Sequence, residues 1–105
     1  MSRIKDVAPQ ARTEAQARLY DKVTAARGMF FSPYKVWIHS PPIGVGMEAI
    51  GTHLNSAASS LSAGEMELAT LVTARFWNAA YVIKNHAQHA AKAGLDAATI
   101  EALKQ

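Results

Sequence analysis

The residues with chemistry to offer lie mostly in the second half of the chain. His86 shares a helical spacing with Arg75, Ala79 and Val82, at steps of four, three and four. An imidazole on an inward helix face titrates near neutrality and can act as a general acid or base. The same position also suits a core histidine bonded to a backbone carbonyl. Glu67 lies just behind a helix start, where its charge suits the helix dipole. As a functional carboxylate it must instead reach His86. Arg75, on an apolar stripe, needs an anion beside it. Glu67 in a structural ion pair, or the carboxylate of a substrate, would serve. His86 and His89 are three residues apart and could face one metal ion. No third ligand has a matching spacing, and zinc wants three or four, so no metal site is expected. Trp37, His39 and Tyr81 could wall a substrate pocket, or simply pack. His53 offers no more than a place on a helix face.

These residues can cooperate only if the chain folds back between them. Glu67 and His86 are 19 residues apart, which on one straight helix is roughly 28 Å. A break is therefore required, and Trp77-Asn78 is where it is expected, with Asn78 capping a second helix from Ala79. The start of the first of these helices is marked by Ser62-Ala63-Gly64-Glu65, a capping box. Gly94 closes the second, and Asp96 caps a last helix through Thr99, Ile100 and Leu103.

The first half reads as supporting structure. Residues 1–11 are polar, contain Pro9 and read as an arm. Residues 12–27 place Ala15, Leu19, Val23 and Ala26 on one helical face, and Gly28 is a natural stop. Ser32 and Pro33 can open a short helix. Residues 34–39 have strand propensity, but nothing else alternates with period two, so a short helix is expected there. Ser40-Pro41-Pro42 interrupts the chain. Residues 43–58 predict a helix with Val45, Ala49, Ile50, His53, Leu54 and Ala57 along one stripe. Gly44, Gly46 and Gly51 weaken it by about 1 kcal/mol each relative to alanine, and their small size would admit a second helix at close range. With no set of strands, the chain reads as one all-α domain spanning 1–105.

Composition narrows the function. The chain has 105 residues, half of them hydrophobic and 18% charged, with a net charge of +3 and no cysteine. The apolar surplus over what so short a chain can bury points to a homo-oligomer. Lys and Arg are scattered, so no nucleic-acid partner is expected, and a small anionic substrate suits the mild positive charge. The missing cysteines exclude disulfides, thiolate metal ligands and cysteine nucleophiles. The opening residues carry no secretory signal and no apolar stretch approaches a membrane span, so the default expectation is a cytoplasmic protein without membrane contact. No cofactor motif is present, and none is expected.

Three segments together carry a family resemblance. Ser62 to Ala69 resembles the helix start of the carboxymuconolactone decarboxylase family. Asn78-Ala79-Ala80-Tyr81, then His86, then Ala90-Ala91-Lys92-Ala93-Gly94-Leu95 resembles its signature helix and exit. Phe31-Ser32-Pro33-Tyr34 with Trp37-Ile38-His39-Ser40-Pro41 resembles an upstream segment that is helical in the family. The resemblance implies an alkylhydroperoxidase D-like helical bundle working as an oligomer. Hydroperoxidase members use a Glu, a Cys-x-x-Cys pair and a His. Glu67 and His86 match the first and last, while Ala79 and Val82 stand in the cysteine positions. Thiol-based peroxide reduction then lacks its nucleophile, and a hydroperoxidase (peroxiredoxin-type) role would be nominal. The decarboxylase branch needs no thiol and acts on a carboxylated lactone from aromatic compound catabolism. Such a lyase needs a proton donor, a cation for the substrate carboxylate and a dry wall, and the residues expected to supply them are His86 as proton donor, Glu67 as its orienting or relay partner, Arg75 holding the carboxylate, and Trp37, His39 and Tyr81 excluding water. This chain departs from the family at Val82-Ile83, where an acidic-aromatic pair is usual. Many relatives continue through another set of helices beyond the position of Gln105, so the resemblance leaves open a short form, a fragment, or a subunit relying on a partner to close its pocket. A non-catalytic binding or structural oligomer on the same scaffold is the alternative.

Overall fold

A computed structural model describes residues 3–105. Among them are six α-helices and one 3-10 turn, and no strand. The all-α expectation is met. The chain divides into two compact units, one reaching to His53 and the other running from Leu54 to Gln105.

In the first unit a 3-10 turn (Pro9–Ala11) leads to α1 (Glu14–Arg27), α2 (Ser32–Trp37) and α3 (Pro41–Leu54), whose last residue reaches the second unit. Helix α1 begins two residues later than the pattern predicts, because Thr13 and Gln16 form a capping box of their own. It ends at Gly28, whose φ of 77° is the left-handed conformation that glycine adopts without cost. Residues 34–37, strand-like by propensity, are helical as expected. Tyr34 and Ile38 are thereby turned onto Leu19 and Val23, and the four form the core of this unit. Phe31 and Trp37 meet the Tyr34 ring edge-on, at 5.0 and 5.2 Å between centroids. Gln16 Nε2 donates to the Ile38 carbonyl at 3.1 Å and ties α1 to the end of α2.

Helix α3 is turned differently from the hydrophobic pattern. Val45, Ala49, Ile50 and Leu54 are exposed, and the buried residues are Gly44 and Glu48. The reason is steric. A Cβ at Gly44 would run into the Leu19 side chain, and one at Gly51 would meet the Arg27 guanidinium. The glycine face is the one that lets α3 lie close to α1, and it overrides the apolar stripe. The two prolines at 41 and 42 open this helix rather than only breaking the one before it, as suits proline in a first turn.

The second unit is a helical hairpin closed by a third helix: α4 (Ala63–Phe76), α5 (Ala80–Lys92) and α6 (Ala97–Lys104). Its start follows the predicted capping box. Ser62 Oγ accepts from Glu65 N at 3.1 Å and Glu65 Oε2 accepts from Ser62 N at 2.8 Å. Gly94, at φ 93°, ends α5 together with its neighbours. Asp96 Oδ1 accepts from Thr99 N at 2.9 Å and caps α6. Leu71, Ala87, Ala90 and Ile100 form the core, with Leu95 and Leu103 packed against it. The break between α4 and α5 falls at Trp77-Asn78 as expected, but Asn78 does not cap α5. The N-cap is Ala79, which makes no side-chain bond. Asn78 instead takes a left-handed φ of 52° and reverses the chain, a conformation asparagine tolerates better than most residues.

A candidate proton-transfer site

The reversal at Asn78 brings α5 back along α4 and joins the two residues that the sequence separates. Glu67 lies in the second turn of α4 and is buried at 5% exposure. His86 lies in the middle of α5. Its Nδ1 donates to Glu67 Oε2 at 2.7 Å. The two side chains differ in access, with 34% of the His86 side chain exposed and 7% of that of Glu67.

This geometry has a chemical consequence. A carboxylate can only accept from a ring nitrogen, so Nδ1 carries a proton. The other nitrogen, Nε2, makes no hydrogen bond among the described residues. It holds a lone pair when the ring is neutral and a proton when it is charged. The buried carboxylate fixes the ring orientation through Nδ1, leaving Nε2 to take or give a proton. The His89 ring stands edge-on to that of His86, with centroids 5.6 Å apart. No group of three or more His, Asp or Glu among the described residues is arranged to hold a metal ion.

An apolar cavity of about 430 Å³ lies in the same unit. Helix α4 contributes Met66, Thr70 and Thr73, the exposed Trp77 follows at its end, and Ala79 and Val82 also line it. Val82 precedes His86 by one helical turn, and Met66 and Thr70 flank Glu67 along α4. Glu67 and His86 themselves do not line it, and neither does any cation. The polar groups in the wall are the hydroxyls of Thr70 and Thr73, each donating to the carbonyl four residues earlier, at 2.8 Å.

The other predicted site residues have partners of their own or lie exposed. Arg75 is exposed in the last turn of α4, where its Nε donates to the main-chain oxygen of Gln105. It makes no ion pair with Glu67, whose partner is His86. Tyr81 is exposed in the first turn of α5. Trp37 and His39 belong to the first unit. Trp37 packs on Tyr34, and the exposed His39 shares a 2.9 Å hydrogen bond between Nε2 and the Lys5 carbonyl.

Sequence reasoning did not single out Glu48. It is buried at 3% exposure, takes a hydrogen bond from the Thr52 hydroxyl, and faces Lys22 Nζ at 3.4 Å. The Thr52 bond, and after it Lys22 and Arg27, outweigh the burial and hold its carboxyl below the usual range. Nearby Tyr34 is pushed up by burial, with a smaller opposing pull from Arg27 and a smaller push from Glu48. The available signal was the i, i+4 pairing of Glu48 with Thr52 beside the glycines. No family model matches the chain, and neither a curated protein nor a solved structure does.

Proposed function

We propose that this chain is a lyase of the carboxymuconolactone decarboxylase kind, acting on a small carboxylated lactone or a related product of aromatic-ring breakdown. The observation that carries the reading is the buried Glu67 carboxylate bonded to a half-exposed His86. In such a reaction the bond between the ring carbon and the carboxylate breaks, and CO2 departs. The electron pair left behind spreads into the lactone as a dienolate. A proton must then be delivered to carbon, and Nε2–H of the protonated His86 ring is the donor, with Glu67 holding the ring through Nδ1. The apolar cavity beside Val82 would take the body of the substrate. Its walls disfavour a localised carboxylate and so favour a step that disperses that charge. Arg75 would have to leave the Gln105 carbonyl to hold the substrate carboxylate. A cytoplasmic location goes with this reading.

A binding or structural oligomer is the second reading, and a specific observation favours it. Phe76 and Trp77 are 78% and 73% exposed, with Leu68 and Val72 exposed on the same helix. A second copy of the chain would cover such surface. No helix among the described residues is long and apolar enough to cross a membrane.

The deciding experiment measures CO2 release from carboxymuconolactone and related lactone acids by wild type and His86→Gln. A fall of about a hundredfold or more in the variant, in the range expected of a lost general acid, would support the lyase. No release by folded wild type would remove it and leave the binding reading.

A further inference from the structure

We propose that the first unit holds a separate binding site for a small monocarboxylate with an apolar, preferably aryl, body. The site is a cavity of about 600 Å³ between the segment from Asp6 to Arg12, helix α1 and the start of α2. That volume is in the range of ordinary small-molecule pockets. It shares no residue with the cavity beside the Glu67–His86 pair.

Three charged side chains line it: Asp6, Arg12 and Lys35. Lys35 Nζ and Asp6 Oδ2 are 3.1 Å apart and neutralise each other. Arg12 is left over. Its guanidinium carbon lies 3.9 Å from the centre of the Tyr20 ring, and it takes part in no ion pair or side-chain hydrogen bond among the described residues. Its Nε is buried and has no hydrogen-bond partner. A guanidinium stacked on a ring uses its face and keeps its edge for in-plane bonds. The edge formed by its two terminal nitrogens matches the two oxygens of a carboxylate. Apart from Thr24, whose hydroxyl donates to the Tyr20 carbonyl, the other side chains of the wall are apolar or aromatic, among them Val7, Tyr20, Met29, Phe30 and Ile38. One unpaired cation in an otherwise apolar and aromatic wall selects a single negative charge on an apolar body. A dianion would face Asp6 with no second free cation to hold it.

The test is a titration of the full chain with sodium benzoate, followed by backbone amide chemical shifts, with benzamide and acetate as probes lacking the charge and the ring. Saturable binding is expected, with shifts at Arg12, Tyr20, Met29 and Phe30. Benzamide and acetate should each bind at least about tenfold more weakly, as loss of a charge-assisted pair or of the buried ring predicts. Arg12→Gln should weaken benzoate by a similar factor. Arg12→Lys, which keeps the charge and loses the planar edge, should fall between. His86→Gln should change nothing. The proposal is overturned if benzoate does not saturate by about 10 mM, well beyond a millimolar site. It is overturned equally if benzamide binds as well, if both Arg12 variants bind like wild type, or if the shifts fall on the second unit.

Discussion

Each unit buries one carboxylate, and the two are treated in opposite ways. In the first, Glu48 is held by a hydroxyl from its own helix and by Lys22 across from it. Neither partner offers a second ring nitrogen to pass a proton on, and the arrangement is structural. In the second, Glu67 is equally buried, but its partner is an imidazole that is partly open to solvent and has a second ring nitrogen to take or give a proton. Burial of a carboxylate therefore does not mark a site by itself. What separates the two is whether the partner can exchange a proton with something outside the protein.

Substitutions at the two positions should pull this comparison apart. The largest effect is expected from Glu67→Gln, which keeps the size of the side chain but replaces the carboxylate that holds the imidazole through Nδ1. CO2 release should fall by about a hundredfold, while the melting temperature moves little. Equal activity in this variant would break the contrast. Glu48→Ala should do the reverse. Activity per folded molecule should persist, and stability should drop by about 1–3 kcal/mol, as when a buried hydrogen-bonded group loses its partners.

The pH dependence sharpens the same point. Glu48 has a folded-state pKa below its unfolded one, so the native state binds fewer protons there. Its contribution is present above about pH 4.3, the ordinary glutamate value, and is lost as the pH falls through the lower folded value. The stability gap between wild type and Glu48→Gln, measured by urea unfolding, should therefore narrow from pH 7 toward about pH 3. A constant gap would mean that the carboxylate charge contributes nothing. The smallest effects concern the contact that brings Glu48 inside. Gly44→Ala should destabilise by about 1–3 kcal/mol, the range for an overpacked contact, because the fully buried Leu19 cannot yield. Gly46 has open space around it, and alanine there should stabilise by up to about 1 kcal/mol.

The local signals were the most readable ones. Ser62 with Glu65, Gly28, Gly94 and Asp96 all act within one turn of themselves, so residue type alone announces them. The meeting of Glu67 with His86 was legible for a different reason: one unbroken helix would hold them far apart, and Asn78 offered a break. How Asn78 makes that break was not legible, because asparagine serves both as a cap and as a left-handed residue. Helix α3 was misjudged because hydrophobicity was weighed over size. Val45 and Ile50 are its most apolar positions, yet the closeness of α1 is decided by Gly44 and Gly51. Arg75 was assigned an anionic partner on the strength of a stripe that the turn interrupts. Once the chain reverses, Arg75 ends one helix while Val82 and His86 ride on another.

The turn at Asn78 also sets the rotational phase of α5. Each residue added to or removed from a helix swings everything after it by about 100° and shifts it by about 1.5 Å. A single-residue insertion between Trp77 and Ala80 that fed into α5 would leave both helices intact and turn the imidazole away from its carboxylate. The hairpin is thus an indexing device as well as a connector, and a length change there would silence the pair without touching either member.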